Sequence, residues 1–570
     1  MRNILNIKAL SIAVAALIAV GCIEDKGNYD YDTTYDYAVE VGVESPVMGF
    51  QYIVGMEIVI TPSVVINDPS INEDRLAYTW HLEGEVVSTE RVLRLNDIPI
   101  GSYIGGVTVT DTRYGTVYYT NKSSTGIGGD YFLLRVTSEY THGFAVLSND
   151  DGASKLGYIR YANNEWEDFM PNIYPGSNGN EDLGGEPVSL MHHSYNSNGV
   201  FFALHVTQNG GIGPVDMATA TMERIGLINR EFIGSYPTGM KVKDVLYKGG
   251  NVFLLADNGK VYVRPEETNG FDVLPHGGRF PNIPMYIDKD MRVNKWINVK
   301  CLQAPMSSSL VVIAFDDLNK RMLMINSETS RISVMNRFAE GDSEIIKPGD
   351  PGTDGITTNS LTFPSPEDLS GYDLALLGAF NTDLVDYPDN NSIVSVLKGA
   401  DNKYYCFIFD WFCIPYSGYT DIDLKKFFEF PVQNIDADMK YAVYIAGKPY
   451  MFFTANGNKD LYFMNLETNA TKLFYSHTSP ITTIQAGETT NGIAALYESF
   501  GMGEYATYSE YVGKLAIGTA DGKVIILDAT PSEVEGAGTA NVLRSYNTSN
   551  GPIVDIEYLS LDWSQATSVK

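Results

Sequence analysis

The sequence predicts an all-β protein, with an N-terminal immunoglobulin-like β-sandwich and then a seven-bladed β-propeller that its own C-terminal strand closes. Three observations predict this fold. One hairpin pattern recurs seven times, a final apolar strand has no hairpin of its own, and the first part of the chain alternates apolar and polar residues over short runs. The predicted segments are a signal peptide (1–21), an acidic linker (22–34), the sandwich (35–138), the propeller (139–562) and a tail (563–570).

The first element is an export signal. Arg2 and Lys8 are followed by an uncharged apolar run from Ala9 to Val20, which is shorter than the ~20 residues that a membrane-spanning helix needs. Small residues stand directly before Cys22, which resembles the lipobox of bacterial lipoproteins, although Ala19 occupies the position where leucine is usual. This resemblance implies that the signal is cleaved and that Cys22 carries the lipid. A plain secretory signal with an incidental cysteine is the alternative.

The residues after Cys22 read Ile-Glu-Asp-Lys-Gly-Asn-Tyr-Asp-Tyr. This string resembles the opening of the PKD-like family of surface lipoproteins of the Bacteroidota type. Tyr78-Thr79-Trp80 and Val107 to Asp111 resemble a PKD-type domain, and Ser138 to Ser148 resembles the family's junction into a second domain, with Phe144 where tryptophan is commoner. The resemblance implies lipid anchoring in the outer membrane, exposure at the cell surface, partner subunits of a Sus-type importer, and a part in polysaccharide utilization.

Five short strands with alternating patterns predict the sandwich itself. Their spacing is that of one immunoglobulin-like sandwich of ~100 residues. The strands are predicted at Val39 to Val43, Glu57 to Ile60, Ala77 to Trp80, Gly105 to Val109 and Tyr131 to Val136.

Seven hairpins predict the propeller. The pattern is clearest at Leu254 to Val263 and Ala516 to Leu527, where Asn258-Gly259 and Asp521-Gly522 separate two apolar runs. Such pairs favour a hairpin because the turn needs positive φ. The repeat averages about 62 residues, longer than the ~40 to 50 residues of a compact blade, so we expect long loops. Looser copies begin at Phe144, Phe201, Val311, Val394 and Tyr450.

The ends of the repeat predict how the ring closes. Later hairpins follow a short apolar run suited to an innermost strand, such as Ile435 to Ala437, but the first hairpin lacks one. We therefore expect Ile553 to Tyr558 to lie beside Phe144 to Leu147, which removes open sheet edges. An extra strand pair within Arg337 to Ser370 would change the blade number by one.

Composition excludes one class of partner. The formal net charge is −30, and a protein that neutralises phosphates needs lysine and arginine grouped on one face, so we expect no nucleic acid partner. Cys406 and Cys413 are near enough in sequence to suggest a disulfide, but Cys406 lies in a core strand pattern. We favour buried thiols at these two positions and at Cys301.

The sequence contains no Asp box, Gly-x-Ser-x-Gly elbow, His-Glu-x-x-His helix or phosphate-binding glycine loop. We therefore expect that the protein is not an enzyme and that it binds no cofactor. Asp244, Asp436 and Asp555 lie in inner-strand patterns and are predicted channel carboxylates, which could hold a cation or cationic ligand, although solvated walls are commoner. Asn149 to Gly152 could bind a structural calcium ion, but a turn needs the same residues.

Aromatic and histidine residues in or near the long loops are the predicted ligand contacts, because rings stack on sugars or peptide side chains and rigid scaffolds present binding groups on loops. Packing of these rings between blades is the alternative. The predicted function is a non-catalytic surface lipoprotein that binds a glycan or peptide or docks on the importer. A propeller hydrolase or lyase that acts on polysaccharide is the alternative. The candidates are Trp166, Tyr174, His192, Trp411, Tyr416, Tyr505 and Tyr508.

Overall fold

The structure is a computed structural model of the chain, divided into two compact units, residues 1–98 with 102–135 and residues 99–101 with 136–570. The structure describes residues 38–44, 49–122, 131–140, 142–162, 165–195, 201–248, 251–265, 278–285, 297–304, 311–326, 331–336, 338, 346–380, 390–413, 420–445, 448–486 and 513–560. Four candidate residues lie outside these ranges: Cys22, Tyr416, Tyr505 and Tyr508.

The first unit is all-β, and all five predicted strands are present in it. Eight strands form one sheet and two form a small second sheet. The strands are β1 (Val39–Gly42), β2 (Phe50–Ile53), β3 (Ile58–Ile60), β4 (Ser63–Ile66), β5 (Leu76–Leu82), β6 (Glu85–Ser88), β7 (Leu93–Leu95), β8 (Gly101–Asp111), β9 (Thr116–Lys122) and β10 (Phe132–Thr137). The larger sheet has the order β2-β10-β8-β9-β1-β4, with β5 beside β8 and β6 beside β5, and β3 pairs with β7.

Alternation along β5 creates the core of this unit. Successive side chains of a strand point to opposite faces, and every second residue of β5 is buried. Trp80 is fully buried, meets Phe132 edge to face at 6.1 Å, and donates from Nε1 to the carbonyl of Glu90 at 2.9 Å. Gly105 gives the Phe132 ring its space, since a Cβ at that position would overlap the ring.

The described part of the second unit contains seven antiparallel sheets of three or four strands, numbered here in chain order. The first sheet begins with β11 (His142–Asp150), β12 (Ala153–Ala162) and β13 (Glu165–Met170). After α1 (Tyr174–Ser177), the second sheet contains β14 (Glu186–Tyr195), β15 (Phe201–Asn209), β16 (Val215–Ala218) and β17 (Arg224–Leu227). After β18 (Phe232–Ile233), the third contains β19 (Val242–Lys248), β20 (Asn251–Ala256) and β21 (Val261–Arg264), and β22 (Phe280–Pro281) follows.

The remaining four sheets follow the same serial order. The fourth contains β23 (Val299–Gln303), β24 (Val311–Asp316), β25 (Arg321–Asn326) and β26 (Arg331–Val334). After β27 (Pro351–Thr353) and β28 (Thr358–Thr362), the fifth contains β29 (Tyr372–Phe380), β30 (Asn390–Gly399), β31 (Tyr404–Cys413) and β32 (Thr420–Glu429). The sixth contains β33 (Tyr441–Ile445), β34 (Lys448–Ala455), β35 (Asp460–Asn465) and β36 (Thr471–Ser476). The seventh contains β37 (Ile481–Ala486), β38 (Lys514–Thr519), β39 (Lys523–Asp528) and β40 (Val542–Asn547), with α2 (Pro531–Val534) before β40, and β41 (Ile553–Ser560) ends the described chain.

The predicted position of the last strand is confirmed. β41 pairs antiparallel with β11 in the first sheet, with Phe144 opposite Tyr558 and Leu147 opposite Asp555. All seven predicted hairpins are present, each as two consecutive antiparallel strands of one sheet. The extra strand pair allowed between Arg337 and Ser370 also exists, but β27 and β28 form a separate two-stranded sheet, so the number of three- and four-stranded sheets described stays seven.

Apolar clusters pack each of the seven sheets against the next. The described clusters join the first sheet to the second, the third to the fourth, the fourth to the fifth, and so on through the seventh. Met191 of the second sheet packs against the cluster of the third. One further cluster contains Phe144 and Val146 of the first sheet together with Ala516 and Ile526 of the seventh. The seventh sheet therefore packs on the first, and the burial of apolar surface links all seven in series.

Turn geometry differs between the hairpins. At Asp151 and Gly152 both residues have positive φ, 50° and 88°, and Asn149 Oδ1 accepts from the Gly152 N–H at 2.7 Å. This segment therefore forms the predicted turn. At the two clearest hairpins only the glycine, Gly259 or Gly522, has positive φ (77° in each), which is the geometry of a type I turn followed by a left-handed residue.

One sequence prediction about the sixth sheet is wrong. Ile435 to Ala437 is not a strand, because the first strand of the sixth sheet is β33, and Ile435 is instead a buried loop residue. A three-residue apolar-polar-apolar pattern cannot distinguish these cases. The favoured prediction for Cys406 is confirmed, since it is a free, buried thiol, and the alternative disulfide is absent. Cys406 and Cys413 lie on the same extended strand, so about 3.3 Å per residue holds their backbones too far apart for a bond.

Candidate functional site

Two regions of the second unit concentrate charged side chains, and the first is the set of inner-strand carboxylates. Asp555 on β41 accepts hydrogen bonds from the Leu190 N–H at 2.8 Å, from the Thr483 hydroxyl at 2.9 Å and from the Ile556 N–H at 2.9 Å. Leu190 lies on β14 and Thr483 on β37, so one carboxylate joins strands of three sheets. Glu557 Oε1 likewise accepts from the His192 N–H at 3.1 Å.

Burial shifts the proton affinity of these groups. Burial, together with the charge of nearby Asp555, raises the pKa of Asp244 to about 6. Burial also raises the pKa of Asp555 to about 6 and, with the charge of Asp555, raises that of Glu557 well above its usual range. Burial lowers the pKa of His192 to about 4. The site is therefore a low-dielectric region in which like charges meet.

The hydrogen bonds between strands give Asp555 and Glu557 a structural role. Asp244 accepts from the Val245 N–H at 2.8 Å, and the oxygens of Asp555 already have three donors. Within the described ranges, no group of three or more His, Cys, Asp or Glu side chains is placed to hold a metal ion. Asp436 lies elsewhere, in the loop before β33, where its Oδ2 accepts from the Asn458 N–H at 3.0 Å. The prediction that it is an inner-strand channel carboxylate is wrong.

The described aromatic candidates pack inside the protein. Trp166 stacks on Phe144 with ring centroids 5.2 Å apart, Trp411 is fully buried in the core between the fourth and fifth sheets, and Tyr174 is fully buried in α1. The rings of these three residues are therefore not available for stacking on a ligand, and the alternative prediction of packing holds for them. Tyr416, Tyr505 and Tyr508, outside the described residues, stay predictions.

The second region is a cavity beside the second sheet, with a volume of about 620 Å³. This size lies within the range of about 300 to 1,000 Å³ typical of small-molecule sites. Isoleucine, leucine and glycine form the rest of its wall. Its charged lining consists of Glu181, Arg224, Arg230, Glu231 and Arg279.

Local structure fixes the first arginine of this cavity. Arg224 begins β17, the outer strand of the second sheet, and its N–H donates to Asn178 Oδ1 at 2.8 Å. Its guanidinium pairs with the Glu181 carboxylate and lies 3.4 Å from the Tyr174 hydroxyl. Tyr174 therefore supports the wall of this cavity from behind, although it does not line it.

A short parallel strand pair brings the other two arginines together. A 3₁₀ helix (Ile228–Arg230) follows β17, and β18 then pairs in parallel with β22, with Phe232 opposite Phe280. The Phe280 N–H donates to the Glu231 carbonyl at 2.9 Å. Arg279 directly precedes Phe280, so this pairing places it near Arg230.

A buried ionic network underlies the cavity floor. The Arg264 guanidinium pairs with the Glu231 carboxylate and, at 2.9 Å, with Asp216 Oδ2. His205 Nδ1 contacts the other oxygen of Asp216. All four side chains are nearly inaccessible to solvent. Sequence reasoning missed this network and the cavity, because their members are far apart in the chain and form no recognisable spacing.

Comparison with known proteins gives one family match and distant structural similarity. The model of the PKD-like family matches residues 22–187. No curated protein matches the sequence significantly. A quinonprotein alcohol dehydrogenase-like protein from Bacteroides thetaiotaomicron VPI-5482 aligns over 91% of this chain and 96% of its own, with 10% identity and a TM-score of 0.35. BamB from Moraxella catarrhalis aligns over 74% of this chain and 86% of its own, with 9% identity and a TM-score of 0.31.

Among the described residues, no helix is both long and apolar enough to cross a bilayer.

Proposed function

We propose that this chain is a non-catalytic lipoprotein of the outer-membrane surface that binds a nutrient, either a glycan or a peptide, or docks on a Sus-type importer. The observation that carries the proposal is the PKD-like family match, which begins at residue 22. Cys22 is the residue that the lipobox resemblance selects as the lipidated end of the mature chain. An acyl chain there would hold the protein at a membrane, and lipidation commonly works with a second attachment signal or partner.

In this proposal the second unit is a seven-bladed propeller, and the first is a PKD-like sandwich that links it to the lipid. The pairing of β41 with β11 supports closure of the ring by the C-terminal strand. The apolar cluster between the seventh and first sheets supports it further. A closed ring has no open sheet edge, which suits a protein exposed outside the cell.

The arrangement of the carboxylates favours binding over catalysis. A general acid or base must reach a substrate proton within about 3 Å, but the oxygens of Asp555 are occupied by Leu190, Thr483 and Ile556. The alternative, a polysaccharide hydrolase or lyase, draws support from the raised pKa of Asp244, about 6. Release of polysaccharide fragments that is lost in Asp244→Asn would favour that alternative.

Affinity electrophoresis tests the proposed function. A soluble form lacking residues 1–22 would be run through gels that contain members of a panel of neutral and acidic polysaccharides, with peptide binding measured separately by calorimetry. Retardation by one polysaccharide, or binding of a peptide, is the expected result for nutrient capture. Co-purification of the full chain with an importer pair, without ligand binding, would assign the docking role. Absence of both would reject the proposal.

A further inference from the structure

We propose that the cavity beside the second sheet binds a carboxylate group of the ligand through Arg230 and Arg279. The inference rests on the proposed ligand-binding function and names the chemistry that the site would recognise. It concerns a charged group shared by acidic sugars and acidic peptides.

The charge of the cavity differs in sign from that of the chain. The protein as a whole has 40 basic and 70 acidic residues, whereas the cavity wall has three arginines and two glutamates. In so acidic a chain, a basic concavity concentrates the local positive potential and attracts anions from solution.

Both glutamates of the wall already have cationic partners. Glu181 pairs with Arg224, and Glu231 pairs with the buried Arg264 behind it. Neither carboxylate therefore needs Arg230 or Arg279. Glu231 in particular is held in the buried network rather than directed freely into the cavity.

Arg230 and Arg279 are the two guanidiniums left for a ligand. Both side chains are exposed, and in the described part of the chain neither forms an ion pair with a carboxylate. A guanidinium presents its N–H donors as a planar fork that matches a carboxylate. Two such groups at one cavity can bind one anion together more strongly than either alone.

The backbone around the two arginines is well fixed. Arg230 ends the 3₁₀ helix, and Arg279 precedes β22, which is held to β18 by the strand pair and by the hydrogen bond from Phe280 to Glu231. Phe280 is fully buried and stacks on Phe232 with centroids 5.0 Å apart. A fixed backbone lowers the entropy that ligand binding would cost.

Calorimetric titration of the form lacking residues 1–22 tests the proposal with matched acidic and neutral probes. The sugar pair is digalacturonate and its dimethyl ester, and the peptide pair is a glutamate dipeptide and a glutamine dipeptide. At least one acid should bind about tenfold or more tightly than its neutral partner, with an affinity that falls as salt is added. The acid that binds better identifies the glycan or the peptide as the source of the carboxylate.

Variants assign the binding to the cavity. Arg230→Gln and Arg279→Gln should each weaken binding of the acid about tenfold, and Arg230→Lys should weaken it less because it keeps the charge but loses the fork. The matched control is Arg91→Gln, since Arg91 is an exposed arginine of the first unit, with 55% of its side chain accessible. It should bind like the unchanged protein. Unchanged melting temperatures of the variants would verify folding.

Three results would overturn the inference. These are equal affinity for acid and neutral probes, unchanged affinity in the Arg230→Gln and Arg279→Gln double variant, and equally tight binding of inorganic phosphate at this site. If polysaccharide still retards the double variant in gels, the proposed nutrient-binding function stands and the carboxylate assignment alone falls.

Discussion

Asp555 and Leu190 are 365 positions apart in the chain, yet the Asp555 carboxylate accepts a hydrogen bond from the Leu190 backbone N–H at 2.8 Å. The same carboxylate accepts from the hydroxyl of Thr483. One side chain near the C-terminus thus joins the inner strands of the first, second and seventh sheets. The charged group is buried, and its partners compensate for part of the desolvation.

Replacement of Asp555 tests how much these hydrogen bonds between sheets stabilise the fold. Asp555→Ala leaves three donors without their acceptor. Asp244→Ala removes a carboxylate whose pKa is raised to the same value of about 6 but which accepts one hydrogen bond, from the Val245 N–H. We expect Asp555→Ala to be less stable than Asp244→Ala by about 2 kcal/mol, as the loss of two further bonds predicts. Calorimetric unfolding at pH 7 measures the difference. Equal melting temperatures of the two variants would contradict the structural role of Asp555.

Asp244 should make stability depend on pH. Its folded pKa of about 6 lies above the ordinary value of 3.8, so its contribution favours the folded state below pH ~4 and is lost as the pH rises through ~6. Asparagine cannot ionise, so Asp244→Asn prevents this fall in stability, and its amide oxygen can still accept from the Val245 N–H. We expect the free energy of unfolding of the variant to exceed that of the unchanged protein by about 2 kcal/mol at pH 7.5 and by almost nothing at pH 4.

The control for this prediction is Asp257→Asn, an exposed aspartate in the hairpin turn of the same sheet. It should change the melting temperature little at either pH. A gain for Asp244→Asn that is the same at pH 4 and pH 7.5 would show that ionisation is not its cause.

The turn at Gly259 should tolerate no side chain. A Cβ there would lie 2.9 Å from the Asn298 Cα and closer still to the Asn298 side chain, whereas nothing lies within 4 Å of the corresponding position at Gly457. Both glycines have positive φ, 77° and 69°. Gly457→Ala should therefore lower the free energy of unfolding by only the ~1 kcal/mol that an unfavourable φ costs. Gly259→Ala should lower it by about 2 kcal/mol more. Comparison of melting temperatures measures the cost of close packing, and equal losses would contradict it.

Lipidation at Cys22 has a direct test. Cys22→Ser removes the thiol that an acyl chain would modify, so the protein should lose its lipid and move from the membrane fraction to the soluble exported fraction. Mass spectrometry and fractionation measure both effects. Cys301→Ser is the matched control and should stay in the membrane fraction. Membrane retention of an unacylated Cys22→Ser protein would reject the anchor.

The thiols of Cys301 and Cys406 should react slowly in the folded protein. Burial raises the pKa of Cys301 to about 11 and that of Cys406 to about 12, and the thiolate is the reactive form. We expect little alkylation by iodoacetamide at pH 8 before denaturation and full alkylation after it. A disulfide-linked peptide that contains Cys406 and Cys413 in a non-reduced digest would contradict the structure.

Local patterns predicted much of the fold and little of the candidate site. Hairpins such as Leu254 to Val263 carry their own turn residues and alternation, and the unpaired Ile553 to Tyr558 indicated where the chain must return. The first strand of the sixth sheet was predicted at Ile435 to Ala437 rather than at β33, because three residues of alternating polarity occur in buried loops as well as in strands. The sequence predicts Trp166 and Trp411 as ligand contacts, although both are buried, because the neighbouring residues of an aromatic side chain do not reveal whether it is buried or exposed.

The sequence alone determined the all-β class, the repeated hairpins and the partner of the last strand, because these depend on residues close together in the chain and on a count of strands. Only the tertiary structure decided that Asp555 is tied to Leu190 and Thr483 while Asp436 is not part of that set. It also decided that Arg230 and Arg279 meet at one cavity. Their proximity depends on a two-residue parallel pairing between distant segments, and no periodicity in a single chain encodes which distant segments will touch.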